Sequence, residues 1–146
     1  MENIISIDLA TQTAPTVSEQ AGKNWIEYGT EDWSNLYPQF LIDLYYNSST
    51  HAAIVNATRD MIAGEGILIG ESEDVEGNAK LQQFIDNANG RESLHDIVKK
   101  LAFDYKLQGG YAINVIWNKS RTEIAEIHHV PVERVRAGRP NEYGVV

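Results

Sequence analysis

The sequence has no cysteine, only four prolines, and no apolar run near the roughly 18 residues that a membrane-crossing helix needs. The missing cysteines exclude disulfide scaffolds, zinc fingers, iron–sulfur sites and thiol nucleophiles together. The first residues carry no basic stretch followed by an apolar one, so they give no support to a secretory signal. Catalytic signatures are also missing: there is no G-x-S-x-G, no H-E-x-x-H, and no glycine-rich phosphate loop set between a strand and a helix. Basic residues are scarce through the first two-thirds. Residues 1–98 hold four bases (Lys23, Arg59, Lys80, Arg91) against sixteen acids, while residues 99–146 hold eight against five. The net charge of −9 argues against wholesale adhesion to nucleic acid or an anionic membrane.

What remains is 146 residues, 42% hydrophobic and 23% charged, enough for one domain with a core. Residues 1–33 are rich in Thr, Gln, Ser, Glu and Ala and read as a flexible N-terminal arm, with Met1–Leu9 a short strand or packing segment. Ser34–Asn47 has helical spacing, with Leu36, Phe40 and Leu44 on one face and Pro38 in the first turn. A second helix over Thr50–Ala63 places His51, Ile54, Val55, Thr58, Met61 and Ile62 at i, i+3, i+4 spacing. The short joint between the two predicts a helical hairpin.

Gly64-Glu65-Gly66 ends that pair, Ile67-Leu68-Ile69 reads as a short buried strand, and Glu71–Gly77 as an acidic loop. A third helix carries Leu81, Phe84, Ile85 and Ala88 on one face, with Gly90 just beyond its end. Ser93 with Asp96 opens the longest helix, whose expected core face is Leu94, Ile97, Val98, Leu101 and Tyr105, closed by Gly109-Gly110. The period then changes to two. Tyr111–Trp117 and Thr122–Val130 predict a β-hairpin around Asn118–Arg121, with Pro131 ending the return strand and Val132–Arg136 a bend. Helices first and a hairpin afterwards give an α+β class. The apolar restart at Tyr143–Val146 just after a turn reads as truncation, so 34–146 is taken as a partial domain.

His128-His129 invites a metal reading, but adjacent strand residues point to opposite faces, so the expected role is one histidine packed or hydrogen-bonded at the strand end. Asp104 is the nearest thing to a buried acid and is expected at a face boundary of its helix. No catalytic residue, cofactor or metal is expected. The candidates for contact between subunits are Trp25 and Trp33 at the arm's junction, Trp117 at a hairpin end beside Lys119 and Arg121, and the basic cluster Arg134, Arg136 and Arg139. Trp117 fits an interface anchor and an ordinary core tryptophan about equally. In an extended segment Arg134 and Arg136 share a face. They could meet phosphates, but the acid-rich half of an adjacent subunit is the favoured partner.

Two blocks of sequence carry a resemblance. One runs through Asn35-Leu36-Tyr37-Pro38-Gln39-Phe40-Leu41-Ile42-Asp43-Leu44-Tyr45, Ser48–His51 and Ala53-Ile54-Val55-Asn56 to Met61-Ile62-Ala63-Gly64-Glu65-Gly66. The other runs from Asp104 through Gly109–Trp117 to Glu126–Arg136. Their order resembles the N-terminal region of tailed-bacteriophage portal proteins over roughly residues 33–140, with its helix pair, Gly-x-Gly exit, glycine turn, strand and Val-Pro-x-x-x-Val-Arg return. The resemblance implies a non-catalytic ring, typically a dodecamer, at one capsid vertex. DNA passes through that ring during packaging and ejection, and terminase, capsid and head-completion or tail proteins dock on it. It places the protein in the virion, and in the host cytoplasm during assembly. Portal chains are several times longer and include stem, clip and crown, so the matched part would be outer wing, with no channel-lining residue and no membrane contact. A different class also fits the charge split: a small α+β module capturing an anionic ligand or acidic partner through its basic C-terminal hairpin.

Overall fold

A single residue, Ser48, separates the first two helices and serves both. Its N–H donates to the Leu44 carbonyl (3.1 Å) at the end of α1, Tyr37–Asn47, and its Oγ accepts from the His51 N–H (3.3 Å) at the start of α2, Ser49–Ala63. The computed structural model describes residues 36–70, 73–138 and 140–142, together with 17, 18, 25, 27 and 28. Among these, α3 (Val75–Asp86) and α4 (Leu94–Gln108) follow the helical hairpin. The antiparallel pair β3 (Ala112–Trp117) and β4 (Ile124–Val130) comes next, then a 3-10 turn at Val132–Arg134. The chain is therefore α+β, as its change of period predicts. No described helix is long and apolar enough to cross a membrane.

In the arm, β1 (Val17–Ser18) pairs antiparallel with β2 (Glu27–Tyr28), and Trp25 bridges to Gly138. That bridge ties the arm to the segment after the hairpin. Met1–Leu9, Ser34, Trp33, Arg139 and Tyr143–Val146 lie outside the described residues.

Local capping follows the sequence closely in α4. Ser93 Oγ accepts from the Asp96 N–H (3.1 Å), and Asp96 Oδ2 accepts from both the Ser93 N–H (3.3 Å) and the Ser93 hydroxyl (2.7 Å). Gly109 ends the helix in the left-handed region (φ 77°), donating to the Tyr105 carbonyl. The bonds from Ser93 hold the Asp96 carboxyl below its ordinary range. A group depressed in this way stabilises the fold above its unfolded pKa and loses that contribution as the pH falls through its folded value. Ser93→Ala is therefore expected to lower stability by about 1 kcal/mol at neutral pH. Urea melts should show the gap between wild type and variant narrowing as the pH falls from about 4 toward the depressed folded value of Asp96, with the cap bond from the Asp96 N–H to Ser93 Oγ keeping part of it.

Tertiary packing departs from the sequence reading at four places. On α2 the expected face holds at Val55 but is wrong in phase at Ile54, Met61 and Ile62. Val55 and Ala63 are buried along a stripe with Ala52, Asn56 and Arg59, while Ile54, Met61 (83% exposed) and Ile62 stay uncovered. The narrow stripe wins because small residues let α2 approach α4 closely. Ile67-Leu68-Ile69 is not a strand, and Leu68 is 90% exposed, because no described strand lies beside it to take its backbone hydrogen bonds. The acidic loop stops at Asp74, whose Oδ1 accepts from the Gly77 N–H (2.9 Å), so 75–77 begin α3 instead. Finally, α3 ends at Asp86 with Asn87 as its cap. Ala88 is buried beyond it, and its carbonyl accepts from the Ile127 N–H of β4 (3.1 Å).

On α4 the buried residues are Ile97, Ala102, Asp104 and Leu107, with Tyr105 exposed against expectation. The buried apolar set among the described residues is Pro38, Val55, Ala63, Ile85, Ala88, Ile97, Ala102 and Leu107, three of them alanines. This thin core lies where α4 meets α2, α3 and β4.

Candidate functional site

The one buried charge among the described residues is Asp104, 4% exposed and enclosed within the molecule instead of standing at a face boundary. Its position follows from the chain around it. β4 runs antiparallel to β3 and delivers His129 to the face that meets α4, and Pro131 then turns the backbone so that Val132 points its N–H inward. Asp104 Oδ2 pairs with His129 Nε2 at 2.7 Å and accepts from the Val132 N–H at 3.3 Å. Facing a carboxylate oxygen, Nε2 is the ring nitrogen that donates. This arrangement joins helix, strand and turn, and it answers the His128-His129 question. His129 turns inward to Asp104, while His128 pairs with Glu126 Oε2 (2.7 Å) on the other side. The two rings share no ligand position. Among the described residues no group of three or more His, Cys, Asp or Glu could hold a metal.

Beside this pair lies an open cavity of about 560 Å³ between α1, α4 and the β4 exit. Tyr45 and Phe103 meet edge to face in its wall, with centroids 5.1 Å apart. Its cations are partly committed: Arg59 pairs with Asp60 (2.8 Å) and Lys100 with Glu92. The Lys100 bond holds the Glu92 carboxyl below its ordinary value. The lining has no serine, threonine or cysteine; its hydroxyls are the phenols of Tyr45, which hydrogen-bonds Asn56 (3.1 Å), and Tyr46.

The interface candidates fall in different places. Trp25 is half-buried at its bridge to Gly138. Trp33 and Arg139 lie outside the described residues. Arg134 and Arg136 do not share an extended face, because Val132–Arg134 coils into a 3-10 turn before the backbone extends again at Val135. Arg134 is exposed, whereas Arg136 directs Nη1 at the Glu133 and Val135 carbonyls (3.1 and 2.7 Å).

Trp117 is 52% exposed at the end of β3, next to Lys119 and Arg121 in the hairpin connection. The strand register slips between Ile116 and Trp117, where Ile116 faces Glu126 but Trp117 faces Ile124, a bulge that re-aims the tryptophan. No residue of β3 or β4 is buried, and Ile113, Ile116 and Ile124 are exposed with Trp117.

A second apolar feature was not visible in the sequence. Ile62 of α2, Val98, Leu101 and Tyr105 of α4, and Tyr111 at the foot of β3 line a cleft of about 210 Å³. Tyr105 and Tyr111 flank it edge to face (6.4 Å). Each of these residues reads as core in a linear pattern, and only the phase of α2 leaves them open. None of the known protein families, curated proteins or solved structures matches this chain.

Proposed function

We propose that this chain is a structural part of a phage portal ring subunit, from the outer wing, supporting a DNA conduit by packing against copies of itself. The observation that carries this reading is the apolar surface left open on the β3–β4 hairpin. β4 packs on α4, but both strands still leave apolar side chains exposed that a further layer would cover. The apolar stripe Ile54–Met61–Ile62 on α2 adds to the same requirement. A repeating neighbour meets it without any catalytic group. The order of helix pair, glycine exit, long helix, glycine turn and hairpin also fits the resemblance over residues 33–140. Terminase, capsid and head-completion or tail proteins are the further partners under this reading, which places the protein in the virion.

The alternative, an anion-capturing module, has weaker support because Arg136 is engaged with its own backbone carbonyls. The deciding experiment is size determination by light scattering, with electron microscopy, on this chain and on the complete reading frame that contains it. Closed rings of about a dozen copies are the expected result. A monomer of both at tens of micromolar would overturn the proposal.

A further inference from the structure

Resting on that reading, we infer that neighbouring copies join head to tail, with Trp117 of one copy seated in the Ile62–Leu101–Tyr105–Tyr111 cleft of the next. Three observations point to this pairing. The first is reach: Tyr111 and Trp117 stand at opposite ends of β3, six residues or about 20 Å apart, so the tryptophan cannot fill the cleft of its own chain. The second is size. The cleft is about 210 Å³, and an apolar cavity of about 150 Å³ is enough to hold a benzene ring, so an indole ring fits an open cleft of this volume.

The third is charge. Lys119 and Arg121 flank the tryptophan, and neither makes an ion pair among the described residues. At the cleft, Ile62 sits in the last turn of α2, whose carbonyl end is the negative pole of the helix, and the exposed Glu65, without an ion pair among the described residues, follows three residues later in the chain. A basic tip carrying an aromatic ring therefore meets an apolar cleft at the negative end of a helix. Knob and hole occupy different surfaces of one chain, so each copy can use both at once. Such a heterologous contact propagates around a ring instead of closing on a two-fold pair.

The lack of native cysteine makes the test clean. Trp117→Cys and Ile62→Cys are prepared singly and together in the full chain, and treated with a short bis-maleimide at a protein concentration about a hundredfold above that for half-assembly of the wild type, so that the contact stays populated without the indole. Both positions are exposed, so unchanged circular dichroism and urea midpoints are expected for all three. A mixture of the single variants should crosslink to dimers, each single variant alone should not, and the double variant should give a ladder of multimers. Trp117→Ala should raise the concentration for half-assembly at least tenfold, as loss of a buried interface tryptophan does. Lys119→Glu should also weaken assembly, and adding Glu65→Lys in the same chain should restore it.

Assembly without these crosslinks overturns the docking and leaves the ring reading standing. Crosslinked dimers from Trp117→Cys alone show tip-to-tip contact and also overturn it. A wild-type chain that stays monomeric overturns both.

Discussion

Asp104→Ala is expected to cost about 2–4 kcal/mol, because it strands two donors that this carboxylate alone satisfies. His129 Nε2–H and the Val132 N–H both end on Asp104 Oδ2, and the side chains of the pair are only 6% and 14% exposed. Water from the adjoining open cavity would replace the lost acceptor only in part. Asp104→Asn can set its one carbonyl oxygen where Oδ2 lies and keep both donors paired, losing only the charge, and should cost about half as much or less. The double variant Asp104→Leu/His129→Leu should cost clearly less than the sum of its single variants, because removing both polar partners leaves fewer orphans. Urea unfolding measures all of these. The effect should also be local, with faster amide exchange first at Val130 and Val132, where the strand and the turn lose their tie to α4. A shift below about 0.5 kcal/mol for Asp104→Ala, the scale of an ordinary surface change, would show that the pair does not hold these elements together.

Ile97→Ala should be comparably severe, at about 3 kcal/mol within the 2–5 range for deleting a buried aliphatic side chain. Ile97 is 0% exposed and, with Val55, is one of the two largest fully buried side chains among the described residues. So few large groups form the core that a cavity there has little around it able to collapse inward. A domain stable by some 5–15 kcal/mol would lose a large fraction of its margin. The informative control is Ile54→Ala. Its side chain is exposed on α2, so the expected change is within about 0.5 kcal/mol. Equal costs at Ile97 and Ile54 would mean that α2 packs on its other face in solution.

These two variants mark where linear reasoning ran out. The capping box at Ser93 and Asp96, the left-handed Gly109 and the hairpin around Asn118–Arg121 could all be read in advance. Each depends on groups within a few residues of one another, and backbone sterics and short hydrogen bonds decide them locally. The phase of α2 could not. Two apolar stripes on one helix, Val55 with Ala63 and Ile54 with Met61, satisfy the same spacing, and hydrophobicity favours the one left uncovered. Ala52 and Ala63 face α4 because close approach of two helices needs small side chains on the contact line. That preference involves both helices and is invisible in either alone.

Asp104 shows the same limit for a charge. Its neighbours Phe103, Tyr105 and Leu107 say nothing of whether it is buried, because its partners are 25 and 28 residues further on. The missed clue was chemical: an acid inside an apolar helix can be buried when a histidine and a proline-turned backbone N–H elsewhere can satisfy it. By itself, then, the sequence determined the α+β class, both ends of α4 and the hairpin turn, the split of charge along the chain, and the absence of thiol chemistry. Only the tertiary structure decided which stripes form the core, that Asp104 and His129 meet, and that Trp117 and the Ile62–Tyr111 cleft stay open. The first group rests on interactions within about one helical turn or on composition. The second depends on which distant surfaces exclude water from each other, and a linear pattern does not carry that.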